Sequence, residues 1–95
     1  MNVTIQTVKF DADQKLIAFI NAKFEKLTRF DDTIIDSEVI LKLDKDVENG
    51  NKVVTFKVNV PGEDMVAEKR AHTFEEAVDL CLEALKNQIS KRKRA

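Results

Sequence analysis

Apolar and polar residues change their period several times along this chain, and each change marks an element. Residues 2–9 alternate, with Val3, Ile5 and Thr7 on one side and Asn2, Thr4 and Gln6 on the other, the period of a half-buried strand. Asp11, with Gln14 three residues later, predicts a helix start, and Leu16, Ile17, Ile20, Phe24 and Leu27 then keep one helical face apolar to about Arg29. Alternation returns at Ile35, Ser37, Val39, Leu41 and Leu43, opposite Asp36, Glu38, Lys42 and Asp44, with Ile40 the one exposed apolar residue of that strand. Asn49-Gly50 predicts a hairpin turn, because both residues tolerate the positive φ such turns need. Val54, Phe56, Val58 and Val60 face inward on the next strand, and Pro61-Gly62 predicts a second turn. Met65, Ala67 and Ala71 mark the inward side of a last, more charged strand, where Lys69 points to an end or edge near water.

Residues 73–95 predict one long helix. Thr73 and Glu76 have capping-box spacing, and Phe74, Ala77, Val78, Cys81, Leu82, Ala84, Leu85 and Ile89 share one broad apolar face. Beyond Ile89 the stripe stops at Lys91, Arg92, Lys93 and Arg94, which point around the whole axis, so the last turn is expected to project past the core.

The order strand, helix, three strands, helix predicts an α+β fold, β-α-β-β-β-α. The crossover makes the first two strands parallel and the two tight turns make the rest antiparallel, giving a four-stranded mixed sheet. Each strand has one apolar and one polar face, so two roughly parallel helices should pack on one side and leave the other wet. With 95 residues, 43% of them hydrophobic, and only two glycines and one proline, the expectation is a single domain over 1–95 with regular elements and short connections. Cys81, the one cysteine, rules out an internal disulfide and reads as a small core residue in a reducing, cytoplasmic setting. No charged-then-apolar leader and no long apolar run suggests secretion or a membrane.

Charge changes the picture more than composition does. The net charge is −1, but residues 1–85 carry 11 basic and 17 acidic side chains, whereas residues 86–95 carry five basic and none acidic. Four consecutive cations exceed what a helix dipole needs at its C-terminus and point to a polyanion. The first helix adds a basic flank, Lys15, Phe19, Lys23, Lys26 and Arg29, which would join the tail if both helices cover one sheet face. That flank also has a plainer reading as a solvated surface whose lysine stems cover apolar neighbours.

Reactive chemistry is not indicated. Asp44, Asp46 and Glu48 begin like a calcium loop, but Gly50 comes one place late and Thr55 stands where the bidentate glutamate belongs. His72 has no second histidine or cysteine at ligand spacing, so no metal site is expected, and no glycine-rich phosphate loop exists. The expectation is a protein that is not an enzyme and that uses no cofactor and no small-molecule substrate.

The segments Ile20-Asn21-Ala22-Lys23-Phe24-Glu25-Lys26-Leu27, Val39-Ile40-Leu41-Lys42-Leu43, Phe74-Glu75-Glu76-Ala77-Val78-Asp79 and Gln88-Ile89-Ser90-Lys91-Arg92-Lys93 together resemble the short form of the ribosome hibernation promoting factor family, also called ribosome-associated inhibitor or sigma-54 modulation protein. The resemblance spans almost the whole chain. It implies a cytoplasmic bacterial protein that binds the small ribosomal subunit in its decoding channel, touches its ribosomal RNA, and excludes messenger and transfer RNA in starved or resting cells. Lys23, Lys26, Lys91 and Lys93 carry over as rRNA phosphate contacts, with Arg92 and Arg94 extending the run and Arg29 the first-helix flank. Ala84 and Asn87 depart from the family where a basic residue is common, with Lys86 between them as the candidate replacement. The long form's domain that pairs ribosomes has no counterpart here, so promoting ribosome dimers would need a separate partner. Two other readings stay open: a double-stranded or structured RNA module, against which the strand before the first helix counts, and a protein-interaction or dimerisation domain using the last strand's edge or the polar sheet face.

Overall fold

The computed structural model describes residues 2–45, 48 and 50–94, and of Asn2, Lys93 and Arg94 the backbone only. Its elements are β1 (Asn2–Val8), α1 (Gln14–Phe30), β2 (Asp36–Leu43), β3 (Lys52–Val60), β4 (Glu63–Ala71) and α2 (Phe74–Arg94). They form the expected mixed sheet in the order β1-β2-β3-β4, with β1 parallel to β2 and the other pairs antiparallel. Ile5 lies opposite Val39, which lies opposite Phe56, which lies opposite Ala67, so one inward row crosses all four strands. That face meets Leu16, Ile20, Phe24 and Leu27 of α1 and the whole α2 stripe in one core, with Phe56 fully enclosed. Burying each such large side chain stabilises the fold by roughly 1.5–3 kcal/mol.

Helix α1 starts two residues later than its sequence predicts. Asp13, not Asp11, is the N-cap, its carboxylate accepting from the Leu16 N–H at 2.8 Å. The residues between β1 and this cap are committed elsewhere: Lys9 has φ 71, the Phe10 ring stacks on Phe74 with centroids 4.7 Å apart, and Ala12 packs against the core. Helix α2 caps as expected, with Thr73 Oγ1 accepting from the Glu76 N–H at 3.1 Å.

Five apolar positions differ from the expected pattern. Ile17 is exposed, because α2 packs on the Lys23 and Phe19 side of α1 and leaves the Ile17 side to solvent. Ile34 is 3% exposed and Ile35 56%, the reverse of a strand running on from Ile35. The chain bends there: the Asp31 carboxylate accepts from the Thr33 N–H and hydroxyl at 3.0 and 2.7 Å, and β2 begins only at Asp36. On the outer face, Ile40 is half-buried rather than exposed, and Val53 is buried in register between Lys42 and Arg70.

Both glycines serve the turns. Gly62 has φ 87 in the two-residue link between Val60 and Glu63. Gly50 has φ 99 in a longer loop closed by the Asp44 N–H donating to Asn51 O at 2.8 Å. Asn49, the other half of the expected turn, and Asp46 of the rejected calcium pattern lie outside the described residues.

Candidate functional site

Because the crossover places α1 beside β1 and the last connection places α2 over β3 and β4, the two helices adjoin along one flank. Lys23 of α1 meets Asp79 of α2, and farther along both helices Lys26 faces Leu82, Glu83 and Lys86, so the helices advance in the same direction. Between them runs a groove of about 360 Å³ lined by these six residues. Lys23 Nζ lies 2.9 Å from Asp79 Oδ1 and 5.2 Å from the centre of the Phe19 ring. The pair and the ring hold the ammonium in one place, since a cation over an aromatic face is attracted by the ring quadrupole. Lys26 is exposed and Lys86 half-buried at the same groove.

The other basic positions go elsewhere. Arg29 pairs with Glu25 at 3.2 Å on the exposed side of α1, an ion pair of little energetic weight, and does not line the groove. Lys91 and Arg92 line a second, open concavity of about 410 Å³ with Glu63, Asp64, Met65 and Gln88, on the β4 side of α2. The Arg92 guanidinium is bound there, its Nε 3.1 Å from Glu63 Oε1 and its Nη2 donating to Pro61 O at 3.0 Å. The last turn is therefore tied to the β3–β4 turn instead of projecting freely. Lys93 and Arg94 continue the helix, and their side chains lie outside the described residues.

Sequence reasoning missed the groove's acids. Asp79 and Glu83 stand one helical turn apart, and Glu83 stands one turn before Lys86; that spacing could have flagged mixed charge once the helices were expected to be neighbours. Glu63 carried no such signal, since its approach to Arg92 depends on how α2 lies over the hairpin. Asp44 is a further acid with a role: the Lys45 N–H and the Arg70 guanidinium, 2.9 Å away, hold its carboxyl below the usual range at the base of the β2–β3 loop.

The groove sets three ammonium groups beside two carboxylates, and none of its six lining side chains is a hydroxyl or thiol nucleophile. The Cys81 thiol is buried beneath α2, and burial pushes it up to about 11, which keeps it protonated. Among the described residues no group of three or more His, Cys, Asp or Glu could hold a metal ion, and no helix is long and apolar enough to cross a membrane.

Solved structures share this architecture, among them the following two. A ribosomal subunit interface protein from Coxiella burnetii superposes with a TM-score of 0.89 at 23% identity, covering 100% of both chains. The Thermus thermophilus Protein Y N-terminal domain superposes with a TM-score of 0.82 at 18% identity, covering 96% of this chain and 98% of that one. At such identities the likeness is one of fold. No curated protein matches the chain in sequence. The family model described as sigma 54 modulation protein / S30EA ribosomal protein matches residues 3–95, and the chain belongs to that family.

Proposed function

We propose that this protein is a cytoplasmic ribosome hibernation factor, which binds the small ribosomal subunit through rRNA phosphates and inhibits translation by covering the messenger and transfer RNA sites. The observation that carries the reading is the convergence of Lys23, Lys26 and Lys86 on one groove, in a chain of a ribosomal protein family. Phosphate contacts dominate such binding, and a folded RNA can be recognised by shape with few bases read. Lys91, Lys93 and Arg94 supply a second set of cations at the end of α2, and Arg29 adds to the outer flank of α1. The domain works by occupancy, with no chemistry of its own. The fold shared with the Coxiella ribosomal subunit interface protein supports the same partner. A double-stranded RNA module is the weaker reading, because β1 is fully paired in the sheet and such modules begin with their first helix.

The test is sedimentation of the purified protein with purified small subunits through sucrose gradients over a salt series. Cosedimentation at low salt is expected, with affinity falling by a few powers of ten at moderate salt if on the order of four to six phosphates are neutralised. Free migration at low salt would overturn the proposal, and inhibition of a cell-free translation reaction checks the functional half.

A further inference from the structure

Among the described side chains Ile89 is the last of α2 that is fully buried, and Lys91 and Arg92 after it bring no apolar anchor. Consecutive cations repel one another there, and helix ends fray. Yet the Arg92 side chain is only 31% exposed, and the partners of its guanidinium are Pro61 O in the β3–β4 turn and Glu63 Oε1 on the first residue of β4. One helical turn earlier, Gln88 Nε2 donates to Val66 O at 3.0 Å, on the edge strand β4 of the same hairpin. Side chains four residues apart share a helix face, so Gln88 and Arg92 grip the hairpin at two successive points. The planar guanidinium reaches two partners at once in a fixed geometry that an ammonium lacks.

We infer that Arg92 is a positioning residue rather than an RNA contact: with Glu63 and Pro61 it latches the last turn of α2 to the β3–β4 turn and holds Lys91 and the cations after it in helical order. The inference rests on the RNA-binding role proposed above and removes Arg92 from the phosphate-binding set. Its benefit is entropic. An unlatched tail would have to be ordered at the moment of binding, and that ordering subtracts from affinity.

Glu63→Ala separates the two roles of Arg92 because they predict opposite signs. If Arg92 met phosphate, removing a neighbouring carboxylate would free it and tighten binding to purified small subunits. The latch predicts the reverse, a loss of about three- to tenfold from ordering a few side chains, with the salt slope unchanged because the same phosphates are neutralised. Arg92→Lys, which keeps the charge and loses the fork, should weaken binding in the same way. In the free protein, amide exchange over residues 90–94 should speed up in both variants while the melting temperature holds. Tighter binding by Glu63→Ala, parental binding by Arg92→Lys, or unchanged exchange would each overturn the latch. If the parent protein does not bind the subunit at all, the proposed function falls, and the exchange comparison still decides the latch.

Discussion

Lys23 and Asp79 join the two helices across the groove, ammonium to carboxylate at 2.9 Å, with the lysine side chain 25% exposed and the aspartate 54%. A polyanion entering the groove must compete with Asp79 for that ammonium. If the groove takes RNA as proposed, Asp79 acts against the lysines around it while its ion pair fixes the position of the Lys23 ammonium.

Replacing Asp79 with Asn should strengthen binding to small subunits by several-fold and raise the salt slope by up to about one, as Lys23 becomes free to neutralise a phosphate. Stability should change by no more than about 1 kcal/mol, since the pair is partly solvated. Titration across a salt series reads both. Weaker binding in the variant would mean that Asp79 contributes by orienting Lys23 more than it costs by competing.

The two glycines should differ in how they tolerate alanine. At Gly50 a Cβ would lie 2.7 Å from the Ala71 carbonyl carbon and oxygen, backbone atoms that cannot swing aside, and φ is 99 as well. At Gly62 no atom lies within 4 Å of the added Cβ, so only the positive φ opposes it. Gly62→Ala should cost about 1–2 kcal/mol from the left-handed backbone alone, and Gly50→Ala measurably more, with the Arg70 contacts to Gly50 O and Asp44 disturbed too. Urea unfolding of the two variants side by side would expose the error if their midpoints coincide.

What could be read from the sequence followed from short-range rules. Period-two strands, the Thr73 cap, the α2 stripe and two turns at the two glycines were enough to fix sheet order and pairing, because few topologies satisfy them all. The misreadings arose where a local signal was duplicated or a distant contact intervened. Asp11 and Asp13 are equally good caps by type, and the contacts that favour the later one, the Phe10–Phe74 stack and the packing of Ala12, come from elsewhere in the fold. The Ile34 and Ile35 exchange depends on a bend made by Asp31 and Thr33. At the site, Lys23, Lys26 and Lys86 could be foreseen as cations on helices expected to be neighbours, whereas the capture of Arg92 by Glu63 joins residues far apart in the chain and left no local trace.

Cys81 should be inert in the native protein. Its thiol is fully buried, within 3.4 Å of Val54 O and 3.6 Å of Ala67 O, and reagents attack the thiolate, which burial disfavours. Labelling at pH 8 should proceed at the rate of global unfolding, and immediate full labelling would overturn the core assignment. The pH dependence has a definite sign. The unfolded thiol ionises near 9 and the folded one near 11, so across that window the unfolded state has released a proton that the folded state keeps. Stability should therefore fall between those values, by on the order of 2 kcal/mol from this group, and Cys81→Ala should remove that part of the fall.

The groove and the end of α2 should contribute to one binding event as separable electrostatic sets. Replacing Lys91, Lys93 and Arg94 with alanine while keeping Arg92 removes charges from a turn beyond Ile89, the last buried side chain among those described, so the melting temperature should hold. If those cations meet phosphates, the salt slope should drop by about 0.9 for each phosphate left unneutralised, and translation inhibition should weaken in parallel. Replacing Lys26 and Lys86 in the groove should lower the slope by a comparable amount per residue. Among the described residues the two sets share no ion pair and line separate concavities, so their effects on log affinity should add in the combined variant. A combined effect no larger than that of one set alone would mean that the RNA engages the groove or the helix end but not both. A tail variant that keeps the parent's slope and inhibition would reduce the run to a solubilising helix end, and the protein-interaction reading would then account for the chain better.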